Sequence, residues 1–127
     1  MVIDAAELVK KERNMLYNES TGQPKAIHSL DSLISWLEKK NPEEIYDYTD
    51  INHCLIGQYY TDMGLKDVSV SSTTFRTDRL LGEPLPAGFN EISLGKHHTF
   101  INTKLPYNRT FGAALERAKY FREHNAA

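Results

Sequence analysis

One cysteine, five histidines and a scatter of arginines are the residues of this 127-residue chain with the most chemistry to offer. Cys54 stands near the start of a stretch with helical spacing, and a thiol in the first turn of a helix has its thiolate favoured by the helix dipole. A histidine that takes the thiol proton makes it a nucleophile for a carbonyl carbon, and a third polar residue orients that histidine. His98 and Asn102, with His97 and Asn108 as neighbouring alternatives, complete the candidate catalytic set Cys54, His98 and Asn102. The competing reading makes Cys54 a small core residue beside Leu55, since free cysteine is among the most buried residue types.

Metal ligation has no matching pattern. His53-Cys54 and His97-His98 are adjacent pairs, whereas two ligands on one helix face need i, i+4 spacing and two on one strand face need i, i+2. The scattered glycines match neither the P-loop nor the dinucleotide fingerprint. No metal and no cofactor is therefore expected. Arg76, Arg79, Lys96 and Arg109, with His97 and Lys104, fall around one region of the chain and form a candidate anion-ligand set, against the plainer reading of solvated charge. The segment Glu43 to Asp50 (EEIYDYTD) interleaves acids with tyrosines. Either its acids cap the next helix while Tyr46 and Tyr48 lay their rings on the core, or Glu43, Tyr46, Asp47, Tyr48 and Asp50 form a partner-binding surface.

Several helices must position these groups. Asp4 with Glu7 in capping-box spacing opens a first helix that stops near Tyr17, before the turn-forming Asn18 to Pro24. Ser29 caps a second, in which Leu30, Leu33, Ile34 and Leu37 share one face. A third is expected to start at Thr49 or Asp50, to carry Ile51, Leu55 and Tyr59 on one face, and to stop at Gly64. A last helix follows Asn108 or Thr110, with Phe111, Ala114, Leu115, Ala118 and Phe121 as its apolar stripe and Arg117, Lys119 and Arg122 facing away. Between the third and last helices the texture is β-like. Val68 to Phe75 alternates, and Ile92 to Leu94 and Thr99 to Ile101 flank a Gly95-Lys96 turn, whereas Arg79 to Asn90 reads as an ordered excursion. The expected fold is α+β, with three to four helices packed on a small antiparallel sheet. Residues 1–127 read as a single domain, with 1–24 a candidate for a loosely attached helical arm.

Composition bounds the function classes. Apolar residues at 40% and charged residues at 25% suit a folding globular chain and exclude a disordered one. The net charge of −2 is unevenly spread, with six acids against one base over 41–67 (net −5) and five acids against eight bases over 68–127 (net +3). Nucleic-acid binding usually needs a concentrated basic patch, so a protein partner is the better expectation. No apolar run approaches the roughly 20 residues that span a bilayer, and Met1 to Lys11 is interrupted by Asp4, Glu7 and two lysines where a secretory leader would be apolar. With one cysteine and so no internal disulfide, a cytoplasmic location and no membrane partner are expected.

Two resemblances bear on function. The chain order of Cys54, His98 and a following polar residue resembles that of the papain-like and NlpC/P60-like cysteine hydrolases, although Asn52-His53-Cys54-Leu55 lacks the small polar residues that follow the nucleophile in the latter group. Ser29 to Leu37 (SLDSLISWL), Tyr46 to Asp50 (YDYTD) with His53-Cys54-Leu55 and Gln58-Tyr59, and Thr110 to Ala118 (TFGAALERA) look like small uncharacterised proteins of proteobacteria and their phages. That company implies an accessory protein that binds and blocks a host protein, as anti-defence factors do, or sequesters a signalling molecule. A non-catalytic binding or inhibitory module is the leading expectation. A Cys54-dependent hydrolase and a small-anion or nucleotide binder are the alternatives.

Overall fold

Ser29 does what its position promises. Its Oγ accepts from the backbone N–H of Ser32 and opens α2 (Leu30–Glu38), whose Leu33, Ile34, Trp36 and Leu37 are all buried. The computed structural model describes residues 5–100 and 103–125, and in it α2 packs against the long C-terminal helix α5 (Phe111–Asn125). Trp36 stands edge-on to Phe111 of α5 and to Tyr59 of α3 (Leu55–Asp62), with ring centroids 5.7 and 5.6 Å apart. Its indole N–H donates to Asp62 at 2.8 Å, and Lys40 reaches the same carboxylate, so the C-terminal ends of α2 and α3 are tied together.

The first helix, α1 (Ala5–Leu16), ends as the Asn18 to Pro24 turn predicts; its expected cap, Asp4, lies outside the described residues. Leu16 is fully buried, and its carbonyl accepts from Lys25 N–H as the chain returns. Helix α3 starts later than its sequence suggests. Asp50 takes the N–H groups of Asn52 and His53 on its side chain and that of Cys54 on its carbonyl, so residues 50–53 form turns. Such local side-chain bonds compete with the helix. Ile51 is thereby released from the expected helix face to the exterior. At the other end Gly64 takes the expected left-handed conformation.

The β structure is smaller than the alternating run implied. Strands β1 (Ser69–Val70), β2 (Thr74–Arg76) and β3 (Glu83–Pro84) form one antiparallel sheet in the order β1-β2-β3, with Val70 opposite Phe75 and Phe75 opposite Glu83. The run from Val68 folds into a hairpin at Ser71, whose hydroxyl bonds Thr74, and the third strand comes from the excursion. Ile92 to Leu94, expected as a strand, is instead the end of a helix, α4 (Phe89–Leu94). Phe89, Ile92 and Ser93 are buried at helical spacing, and glycines with positive φ, Gly88 and Gly95, bracket the segment. His98 to Phe100 is a single 3-10 turn where the other strand was expected, and Ile101 lies outside the described residues. The result is an α+β fold of five α-helices and a three-stranded sheet among the described residues, one helix more than expected because of α4. No helix among the described residues is long and apolar enough to cross a membrane.

Candidate functional site

The centre of the polar architecture is a residue expected at the surface. As a cation, Arg117 is expected on the solvent face of α5 with Lys119 and Arg122, yet it is 0% exposed. Its guanidinium donates to the carbonyls of Ile92 (3.0 and 2.9 Å), Pro106 (2.8 Å) and Asn108 (2.8 Å) and to the hydroxyl of Tyr46 (2.9 Å). A planar fork with five N–H donors can meet converging carbonyls in this way, whereas a lysine cannot. Gly95 beside it makes room for the Tyr107 carbonyl oxygen, which would lie 2.5 Å from a Cβ there, while the guanidinium carbon would be in ordinary contact at 3.4 Å. The signal was in the sequence, because Arg117 lies at i+3 and i+4 from the buried Ala114 and Ala113 and at i−4 from Phe121, on the apolar face itself.

Tyr46 was a candidate partner anchor, but its ring is 3% exposed and packs on Phe111. Its hydroxyl donates to the carbonyl of Ser93 at 2.6 Å while accepting from Arg117. Burial pushes its pKa up to about 12, against the opposing pull of the Arg117 cation. Tyr48 is half-buried, donates to Asn90 Oδ1 at 2.7 Å, and lies under the Arg109 guanidinium at 4.8 Å from the ring centroid. Asp47 accepts from the hydroxyl and N–H of Thr49, which lowers its pKa, and Asp50 holds the turn before α3. Glu43 is exposed. The segment thus divides its work: the tyrosines turn inward, and Glu43 and Asp47 remain at the surface.

Cys54 is the N-cap of α3 and 3% exposed; its sulfur accepts the Gly57 N–H at 3.4 Å. Burial raises the thiol pKa, with the Gly57 N–H opposing it, so the neutral thiol is favoured at physiological pH. The side chain of His98 and the whole of Asn102 lie outside the described residues. His97 Nδ1 bonds the Thr99 hydroxyl at 2.8 Å, and Asn108 offers its carbonyl to Arg117.

The four candidate anion ligands have different surroundings. Arg79 pairs with Asp78 and approaches Glu12 of α1, and Arg109 donates to the Leu94 carbonyl at 3.1 Å besides covering Tyr48. Arg76 is exposed beside an apolar groove, and Lys96 is exposed after Gly95. Among the described residues, no group of three or more His, Cys, Asp or Glu is placed to share a metal ion.

Two adjoining concavities lie between the sheet and the 48–56 segment. One is a groove of about 380 Å³ lined by Ile51, Val70, Phe75, Arg76 and Leu81. Leu81, next to the fully buried Leu80, is 88% exposed, and Ile51 is 52% exposed. The other is a cavity of about 210 Å³ whose lining includes Tyr48, Cys54, Ile56, Leu85, Asn90 and Ser93, and which shares Ile51, Val70 and Ser71 with the groove. Sequence reasoning missed both. Only a leucine stranded before Gly-Glu-Pro (LLGEP) hinted at the groove, and nothing local marked Ser93.

Comparison with known proteins finds no matching family model, no matching curated protein and no matching solved structure.

Proposed function

We propose that this protein is a binding module that acts on a partner protein, as an accessory or inhibitory factor of a bacterium or phage. The observation that carries the reading is the pair of large apolar side chains left outside the fold on one groove, Leu81 at 88% and Ile51 at 52% exposure. Exposed apolar side chains at a concave surface are the usual anchors of association, because their burial against a partner removes them from water. Ile51 follows directly on the acidic segment, so Asp50, Asp47 and Glu43 precede it in the chain, while Arg76 is the charged residue in the groove lining itself. A partner presenting an apolar side chain, with an acid to meet Arg76 and basic residues toward the acidic segment, complements these features.

The test is capture from a proteobacterial lysate followed by binding measurements with the purified partner. Ile51→Asp with Leu81→Asp changes two exposed side chains and is expected to abolish capture while leaving the circular dichroism spectrum intact. Glu43→Lys with Asp47→Asn, in which the asparagine keeps an acceptor for Thr49, is expected to weaken binding and flatten its salt dependence. Retention of the same partner at the same affinity by both double variants would overturn the proposal.

A further inference from the structure

The cavity beside the groove has a feature that a mere packing gap lacks. Ser93 is 1% exposed, and its hydroxyl is one of two buried side-chain polar atoms among the described residues with no hydrogen-bond partner. A buried serine in a helix ordinarily bonds back to the preceding turn or to a neighbour, and leaving it unmade is costly. Here the residue lines the cavity, and its hydroxyl donor and lone pairs are unused within the fold. Its position is also fixed from behind. The Ser93 carbonyl takes the Tyr46 hydroxyl, the preceding carbonyl of Ile92 takes two bonds from Arg117, and Arg117 also bonds Tyr46. That arrangement holds the backbone that carries the hydroxyl in place before any ligand arrives.

The rest of the lining defines the ligand. Cys54 and Ile56 are buried in the lining, Leu85 and Val70 add apolar surface, Thr49, Ser71 and Ser72 add exposed hydroxyls, and no Asp, Glu, Lys, Arg or His lines the cavity. An ion entering it would lose water without gaining a counter-charge. Asn90 supplies a second polar group at the wall. Its Oδ1 is taken by the Tyr48 hydroxyl, which leaves the amide NH2 as a donor. The Ser93 hydroxyl and the Asn90 amide beside the apolar side chains suit one carbonyl oxygen on an apolar body. At about 210 Å³ the space is below the roughly 300–1,000 Å³ of pockets for drug-sized molecules, so the body is short.

We propose that this cavity is a binding site for a small uncharged molecule carrying an amide or ketone carbonyl on a compact apolar body, with Ser93 Oγ and the Asn90 amide donating to the carbonyl oxygen. The site is independent of the docking groove except for the shared rim at Ile51, Val70 and Ser71, and it holds whether or not a protein partner is found.

The experiment titrates the whole protein with benzamide, and separately with benzoate as a charged molecule of nearly the same shape, following backbone amide signals by NMR. Benzamide is expected to produce saturable shifts centred on Tyr48, Cys54, Asn90 and Ser93, and benzoate to bind at least about tenfold more weakly. Ser93→Ala removes a hydroxyl without a partner in the free protein, so the variant is expected to fold, and to bind benzamide roughly three- to tenfold more weakly. The proposal is overturned by any of three results: no saturable shifts at those four residues, equal affinity for benzoate, or unchanged affinity in the Ser93→Ala protein.

Discussion

Replacing Arg117 by lysine, the substitution that keeps its charge, is expected to be at least as damaging as replacing it by methionine. The guanidinium makes five hydrogen bonds, all to uncharged acceptors: the carbonyls of Ile92, Pro106 and Asn108 and the Tyr46 hydroxyl. Methionine strips these groups of their donor, and each unsatisfied buried acceptor costs about 1–3 kcal/mol. It also removes a buried charge whose desolvation costs several kcal/mol, which offsets part of that loss. The net expectation for Arg117→Met is a loss of about 2–5 kcal/mol. Lysine keeps the desolvation cost but brings its donors to a single point, so it reaches one or two of the acceptors and leaves the others bare. Its expected loss is about 3–5 kcal/mol, a large share of the roughly 5–15 kcal/mol by which domains are stable. Urea unfolding monitored by tryptophan fluorescence reads both values, because the only tryptophan, Trp36, packs on Phe111 of α5. With a slope of about 1–3 kcal/mol per molar urea, the midpoint should fall by about 1 M or more. If Arg117→Lys lies within about 1 kcal/mol of the parent while Arg117→Met is strongly destabilised, the positive charge is what matters, and the account of a fork meeting converging carbonyls is wrong.

Two further outcomes follow from buried titratable groups. His28 is buried between Tyr60, whose hydroxyl lies 2.7 Å from Nδ1, and Tyr17, and burial lowers its pKa against the weaker opposing effect of the Pro84 carbonyl. The unfolded chain therefore binds the proton more readily, so stability should be fully present above the ordinary value of 6.5 and decline as pH falls below it. Urea midpoints between pH 8 and 5 measure this, and a His28→Gln protein with the same pH dependence would refute the assignment. Cys54 should react with iodoacetamide at neutral pH only as fast as the protein opens, since burial keeps its thiol neutral and covered. Rapid labelling of the folded protein would contradict that reading and revive the hydrolase alternative.

How much of this was legible varies by element, and range in the chain explains the difference. The cap at Ser29, the stop at Gly64 and the start of α5 after Thr110, whose Oγ1 accepts from Ala113 N–H, could be read directly because each depends on bonds spanning a few residues. Helix α4 reads as a strand in the sequence because Ile92 to Leu94 alternates over too few positions to separate the two periods; Phe89, three residues earlier, carries the helical repeat. The late start of α3 was missed for a related reason, since Asp50 and Cys54 are both capping groups and only the geometry chooses between them.

The candidate site divides along the same line. Residue types alone placed the acids and tyrosines of Glu43 to Asp50 in one segment and identified Cys54 as the single thiol. Only the tertiary structure turned Tyr46 inward, left Leu81 outside and gathered Ser93, Asn90 and Cys54 around one cavity. The amino-acid sequence by itself determined the helix caps, the apolar faces and the α+β class, because capping and periodicity act between neighbours. Whether a polar side chain is buried depends on acceptors that converge from remote segments, as Tyr46 does on Arg117 from 71 residues away, and that convergence exists only once the chain has folded.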